Sequence, residues 1–333
     1  MAEINRQIVL DQLPQGKLAP DHFRLVEGPL AAPGDGEVLL RARYISLDAA
    51  NRAWMQGATY RSALNAGQVM AGGALAEVIE SKADHLKPGD LVFADMGWQD
   101  FAVLPAKGLS PQPRLEPLTH LLSVYGVAGL TAYFGLLKCG RPRQGETVAV
   151  SAAAGSVGLL VGQIARIKGC RVVGIAGGAA KGALLMKDYG FDAVVDYKAG
   201  DTRRALRAAC PDGIDVYFDN VGGDIFEAAL FNMRNHGRIA CCGAVSSYDG
   251  AAPAHGPRGV PGLIVTRRLT VTGFVVMDFY DEKDAALAEL KGWVDSGQLK
   301  VAEDVIDGLE HLPSALIGLL AGENIGKRMV KVA

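Results

Sequence analysis

One turn of this chain has the spacing of a phosphate cradle. Ala153-Ala154-Gly155-Ser156-Val157-Gly158 keeps the second and third glycines of a G-x-G-x-x-G dinucleotide fingerprint and has alanine in place of the first. Gly155 would let the main chain approach a pyrophosphate, and Gly158 would let the helix Leu159–Lys168 pack on a sheet. The start of that helix, with Ser156 and Val157, would offer unpaired N–H groups to an anion. Small residues are common in strand-to-helix turns, so the bare pattern is weak. Its placement is stronger, because the apolar strand Thr147–Ser151 precedes it and Arg171–Ala176 follows the helix. The second strand runs into Gly177-Gly178, where an NAD-binding protein would place an acid on the ribose hydroxyls. No acid stands there, and Lys181 supplies a cation for a 2′-phosphate, which favours NADPH over NADH. Without that context Lys181 would read as an ordinary solvated lysine.

Three more segments stand at the carboxyl ends of predicted strands, where ligands of doubly wound sheets bind: Asp219–Gly223, Cys242–Tyr248 and Gly273–Val276. Taken singly, each glycine pair could be a plain turn and Phe274 plain core. Their convergence on one edge of the sheet is the argument.

The elements that must hold these residues follow from hydrophobic periodicity. Residues 1 to about 120 alternate short β-type runs (Val38–Leu40, Leu75–Ile79, Leu91–Ala94, Phe101–Leu104) with Gly/Pro turns, an irregular antiparallel β domain. From Thr147 strands and helices alternate, with parallel strands expected at Thr147–Ser151, Arg171–Ala176, Ala193–Asp196, Val216–Asn220, Gly237–Cys242 and Leu269–Val276. A helix Lys283–Ser296, a run Val301–Ile306 and a terminal strand Lys327–Val332 follow; the tail is expected to rejoin the first domain. Gly243–Gly262 reads as one long loop without structure, and such loops are often functional. The expected fold class is α/β, with domains at 1–120 (completed by 300–333) and 121–299.

With 333 residues, 49% hydrophobic, 21% charged and a formal charge of −2, the composition is that of a globular enzyme without general attraction to polyanions, so nucleic acid is not an expected partner. The N-terminus lacks the pattern of a secretory signal. The uncharged run Leu121–Leu137 is short for a membrane span and carries Ser123, Thr131 and glycines, so a buried helix between the domains is expected and no membrane contact. The five cysteines, Cys139, Cys170, Cys210, Cys241 and Cys242, contain no C-x-x-C pair. They are expected to be reduced, in a cytoplasmic protein.

Gly72-Gly73, Gly97-Trp98-Gln99-Asp100, Gly129-Leu130-Thr131-Ala132-Tyr133, the Ala153–Gly158 turn, Asp219–Gly223, Cys242–Tyr248 and Asn324-Ile325-Gly326-Lys327 span nearly the full length. In these the chain resembles the zinc-independent leukotriene B4 dehydrogenase/prostaglandin reductase branch of the medium-chain dehydrogenases/reductases, especially bacterial NADPH-dependent curcumin reductases. The resemblance implies a GroES-like catalytic domain beside a Rossmann domain, a homodimer, and reduction of the double bond of α,β-unsaturated aldehydes or ketones by NADPH. It implies NADPH contacts at Gly155, Ser156, Val157, Gly158, Lys181, Tyr197, Asn220, Cys242, Gly243, Ala244, Ser246, Tyr248, Phe274, Val275, Val276 and Asn324, with Lys181 and Tyr197 about the 2′-phosphate. Zinc-dependent relatives use first-domain cysteines, and residues 1–138 contain none, so no metal is expected.

Reducing an enone puts negative charge on its carbonyl oxygen and needs a proton at the α-carbon, so a positioned donor is required. Where related reductases carry Ser-x-Asp-Pro-Tyr-Met-Arg, this chain reads Ser46-Leu47-Asp48-Ala49-Ala50-Asn51-Arg52, and Thr266 replaces a tyrosine of several relatives. The remaining candidate donors are Tyr60, with Asn51 a substitute beside it, and Tyr248. Tyr60 could equally be an amphipathic loop residue and Asn51 a turn cap. A quinone reductase would share these features. So would a noncatalytic NADPH-binding redox sensor, which the missing tyrosines keep in view.

Overall fold

Apolar alternation in the first hundred residues produces paired strands. In the computed structural model, which describes residues 4–59, 61–250 and 256–333, β1 (Ile4–Leu10) and β2 (Phe23–Pro29) form an antiparallel hairpin. The sequence pattern does not announce it, because in β2 only Phe23 is buried. Next come β3 (Glu37–Ser46), α1 (Ala50–Ala53), β4 (Gly73–Ser81), β5 (Leu91–Asp95) and β6 (Phe101–Pro105). β3 pairs with both β4 and β6, and β4 with β5, all antiparallel. The Gly72-Gly73 motif serves packing: a Cβ would stand 2.7 Å from Trp98 Nε1 at Gly72 and 2.6 Å from the Phe93 ring at Gly73.

A parallel sheet follows, built from β7 (Thr147–Ser151), β8 (Arg171–Ala176), β9 (Ala193–Asp196), β10 (Ile214–Asp219), β11 (Met233–Cys241) and β12 (Thr270–Gly273), in the order β12-β11-β10-β7-β8-β9. Every residue of β10 is buried, as expected of a central parallel strand covered on both faces. The helices are α2 (Val127–Phe134), α3 (Ser156–Ile167), α4 (Ala179–Tyr189), α5 (Thr202–Ala209), α6 (Gly223–Leu230), α7 (Val260–Arg267) and α8 (Lys283–Asp295). Two apolar clusters back this sheet, one around Val148, Val150, Leu159, Ile164 and Leu290, the other around Val173, Ile175, Tyr217 and Ile239.

The tail returns to the first sheet. β13 (Glu303–Asp307) lies parallel to β14 (Lys327–Lys331), which pairs antiparallel with β3, while α9 (Leu312–Leu320) connects them and packs Leu312 and Leu316 into the first core.

Three expectations need correction. The strand expected over Leu269–Val276 stops at Gly273, because Asp278 accepts the Val275 N–H at 3.2 Å and opens a helical turn over Val276–Glu282. The Gly243–Gly262 stretch is not wholly irregular: Val245–Ser247 is a helical turn and α7 begins at Val260, with residues 251–255 outside the described part. The run Leu121–Leu137 is broken, since α2 starts only at Val127 and passes into a wider turn at Gly135–Gly140. Among the described residues no helix is long and apolar enough to cross a membrane.

Candidate active site

The sheet reverses its order of addition between β7 and β10, which places a crevice at their carboxyl ends. Ser151 and Asp219 pin that point. The Ser151 hydroxyl donates to Asp219 Oδ1 at 3.1 Å, and Asn220 returns its backbone N–H to Ser151 Oγ and its side-chain amide to Ser151 O, both at 2.8 Å. Asp219 Oδ1 also accepts the Tyr217 hydroxyl and the N–H groups of Val221 and Gly222. The sequence pattern singled out Asn220 but not Ser151, whose value depends on a neighbour far along the chain.

The turn after β7 is tight. Ala152 takes φ of +49°, and α3 starts behind Gly155 with no side chain capping it. The N–H groups of that first turn, at Ser156, Val157 and Gly158, point out of the helix start, where its dipole favours an anion. Gly158 is obligatory in this geometry, because a Cβ there would lie 2.3 Å from the Ala152 carbonyl oxygen. Gly326 donates its N–H to Ala154 O at 2.8 Å, so the returning tail runs beside the turn, and the Asn324 amide braces it by donating to Gly326 O.

At the end of β8, Gly177 lies against Tyr197 and Lys198, so closely that a Cβ would meet Lys198 Cε at 2.8 Å and the Tyr197 ring at 3.0 Å. Lys198 Nζ sits 5.8 Å from the centre of the Tyr197 ring. Lys181 donates to the carbonyls of Gly322 and Asn324 at 2.6 and 2.7 Å, which leaves one of its three ammonium protons. Burial pushes the Lys181 ammonium down, and the charges of Lys198 and Arg328 push it the same way. Positive charge is therefore concentrated here, a condition that a bound anion would relieve. Asp304 and Glu323 oppose that push only in part, and Asp196 holds the loop together by accepting the N–H groups of Gly178 and Lys198.

The segment after β11 folds over the crevice. Cys242 and Gly243 donate N–H bonds to Asp219 O, Ser246 holds Val221 O through both its N–H and its hydroxyl, and the Tyr248 hydroxyl accepts the Ala244 N–H at 3.2 Å. The Cys242 thiol is pushed up to about 12 by burial and by Asp219, and Cys241 to about 11 for the same two reasons, so neither is a thiolate at neutral pH. Phe274 packs edge-on to Phe218 with ring centres 6.2 Å apart, Val276 is buried, and Val275 stays 36% exposed.

In the other half, Asn51 is 1% exposed; its oxygen accepts the Asp48 N–H at 2.8 Å and its amide donates to Ala71 O at 3.0 Å. Asn51 thereby fastens the turn after β3 to the start of β4, with one of its two amide protons engaged by Ala71 O. Tyr60 lies outside the described residues. Thr266 bonds back to Gly262 O on an exposed face of α7. Near Ala71 lies an open cavity of about 340 Å³, walled by Leu64, Val69, Met96 and by Arg61, which pairs with Asp95 at 2.9 Å above the Trp54 ring. Among the described residues no cluster of His, Cys, Asp and Glu could hold a metal ion.

Two family models match, one described as the N-terminal domain of oxidoreductase over residues 6–111 and one as zinc-binding dehydrogenase over residues 156–292. The NADPH-dependent curcumin reductase of Escherichia coli is 41% identical, covering 99% of this chain and 97% of its own. The NADP-dependent 2-alkenal reductase of Nicotiana tabacum is 37% identical, covering 99% and 98%. The crystal structure of CurA from Vibrio vulnificus in complex with NADPH superposes with a TM-score of 0.94 at 36% identity, covering 98% of this chain and 99% of that one. With the reversal point, the glycine turn and a first domain free of cysteine, these matches establish that the chain belongs to the medium-chain dehydrogenase/reductase superfamily of oxidoreductases, in its zinc-independent branch.

Proposed function

We propose that the chain is an NADPH-dependent reductase that saturates the carbon–carbon double bond of α,β-unsaturated aldehydes and ketones. The observation that carries the reading is the pairing of an uncapped helix start at Gly155–Gly158 with the cations Lys181 and Lys198 around Gly177-Gly178, a set of donors suited to a pyrophosphate and a second phosphate. The substrate class follows the activities named for the curcumin and 2-alkenal reductases.

When bound, NADPH supplies the hydride that reaches the β-carbon of the substrate. The first turn of α3 would hold the pyrophosphate, while Lys181, Lys198 and Tyr197 would hold the 2′-phosphate. Asn324, the backbone of Asn220, the stretch from Cys242 to Tyr248 and the Phe274–Val276 turn would flank the rest. Tyr248 is the donor we assign, because its oxygen accepts the Ala244 N–H and no acceptor among the described residues takes its own proton. Tyr60 is the second candidate. The cavity beside Ala71 would take the body of the substrate.

The partner we propose is a second copy of the chain. β12 ends the parallel sheet, Val271 on it is 39% exposed and Val265 just before it 72%, an apolar edge of the kind that sheet proteins cover. Five free thiols suit the reducing cytosol.

The test follows NADPH absorbance with enals, enones and quinones, repeated with NADH and with a chelator. The reading expects chelator-insensitive, NADPH-preferring conversion of an enone to its saturated ketone, with a loss of about 10²-fold or more in kcat for Tyr248→Phe. NADPH binding without consumption across the panel would refute it.

A further inference from the structure

The segment that carries Tyr248 is tied to both halves of the molecule. Its first part is fixed to the β10 turn through Asn220 O and Val221 O. Its second part is fixed to the antiparallel half. Gln56 Nε2 donates to Ser247 O at 3.2 Å, and Asp249 Oδ1 accepts both the Leu18 N–H at 2.7 Å and Arg52 Nε at 3.1 Å. Arg52 is 1% exposed and also donates through Nη2 to Gly16 O at 2.7 Å, while its Nη1 is buried with no hydrogen-bond partner among the described residues.

A guanidinium this deep is held in one place by its partners, and a buried ion pair of this kind fixes geometry more than it adds stability. We propose that Asp249 and Arg52 form a strap that sets the position of the 244–249 segment relative to the antiparallel half, so that both are positioning residues for the reduction. Neither is a catalytic residue, since each acts through Tyr248 and the backbone around it. The halves are joined independently by Gly326 to Ala154, by Lys181 to Gly322 and Asn324, and by Lys300 to Gln163. Cutting the strap therefore frees the segment without separating the halves. The inference rests on the reductase reading for its kinetic part only.

The experiment compares the full-length protein with Asp249→Ala, Asp249→Glu and Gln56→Ala by backbone hydrogen exchange, by NADPH titration and by steady-state kinetics on an enone. Asp249→Ala, which removes the acceptor oxygen, is expected to speed exchange at Leu18 and across 245–249 by about tenfold or more. It should lower kcat by about ten- to a hundredfold, with the NADPH Kd changed by less than about threefold. Asp249→Glu should recover part of kcat, and Gln56→Ala should give a smaller loss of the same sign. Unchanged exchange in Asp249→Ala, or faster exchange with kcat intact, would overturn the strap. So would a fall in kcat that is matched by an equal loss of NADPH affinity. If the wild-type protein turns over no enone, the reductase reading fails, while exchange in the two Asp249 variants still decides whether the pair holds the segment.

Discussion

Replacing Gly158 with alanine puts the cofactor turn under a measurable load. The new Cβ would stand 2.3 Å from the Ala152 carbonyl oxygen, 2.9 Å from its carbonyl carbon and 3.0 Å from Ala153 Cα. All three are backbone atoms, so no side chain can swing aside. To reach an ordinary contact the start of α3 must retreat by about 1 Å, in an interior packed at crystal density. Overpacking on this scale costs about 1–3 kcal/mol, or about 2–10 °C in Tm. The retreat also draws the N–H groups of the first turn away from a pyrophosphate, and losing one charge-assisted hydrogen bond is worth about 1.5–3 kcal/mol, or about ten- to a hundredfold in Kd. Thermal unfolding and a fluorescence titration with NADPH read the two effects separately. Gly155→Ala is the control for Tm, because its Cβ comes no nearer than 3.2 Å to the Ala152 oxygen and should give a smaller change there. A Gly158→Ala protein with wild-type Tm and with Kd within twofold would refute the argument that this glycine exists to bring the helix start against the strand turn.

Three other outcomes are expected. Lys181→Met and Lys198→Met should each weaken NADPH binding by about tenfold and leave NADH binding nearly unchanged, measured by parallel titrations; equal losses for both nucleotides would remove these lysines from the 2′-phosphate. Ala152→Gly relieves a positive φ that costs a side chain about 1–2 kcal/mol, so Tm should rise or at least hold, and a clear fall would show that the methyl is needed for packing. Burial pushes the Glu146 carboxyl up, but the bonds from Arg238 and the Arg143 N–H outweigh it and hold it below its ordinary 4.5. Its stabilisation is then complete above 4.5 and fades as pH falls through the folded value, so Glu146→Gln should lower Tm at pH 7 and converge with the wild type in acid, as followed by thermal unfolding against pH.

The parallel sheet was legible because its strands are short apolar runs bounded by turn residues: β7, β8 and β9 lie at Thr147–Ser151, Arg171–Ala176 and Ala193–Asp196 in both pattern and structure. β2 was not legible, since exposed positions outnumber its single buried residue. The packing role of Gly158 could be read locally, because the constraint is in the turn itself. Ser151, Lys198 and the Arg52–Asp249 pair could not, because each depends on a contact between segments distant in sequence or on a ring stacked after folding. The hold of Asn51 on its turn was half legible, since a turn cap could be read from the motif but its bond to Ala71 O, 20 residues on, could not.

The return of the tail has a consequence for how this protein is made. β14 lies inside the first sheet, between β13 and β3, with Met329 opposite Ser46. As the chain leaves the ribosome, β6 can cover Glu37–Arg41 of β3, but the Tyr44–Ser46 end of that edge stays open, and its partner arrives only after the whole parallel sheet has been synthesised. The parallel sheet, whose strands all lie between residues 147 and 273, can assemble while the antiparallel half is still waiting. Order of completion is thus the reverse of order of synthesis. A stalled or prematurely terminated chain would hold a formed nucleotide half beside an exposed, adhesive strand, the species that chaperones have to cover.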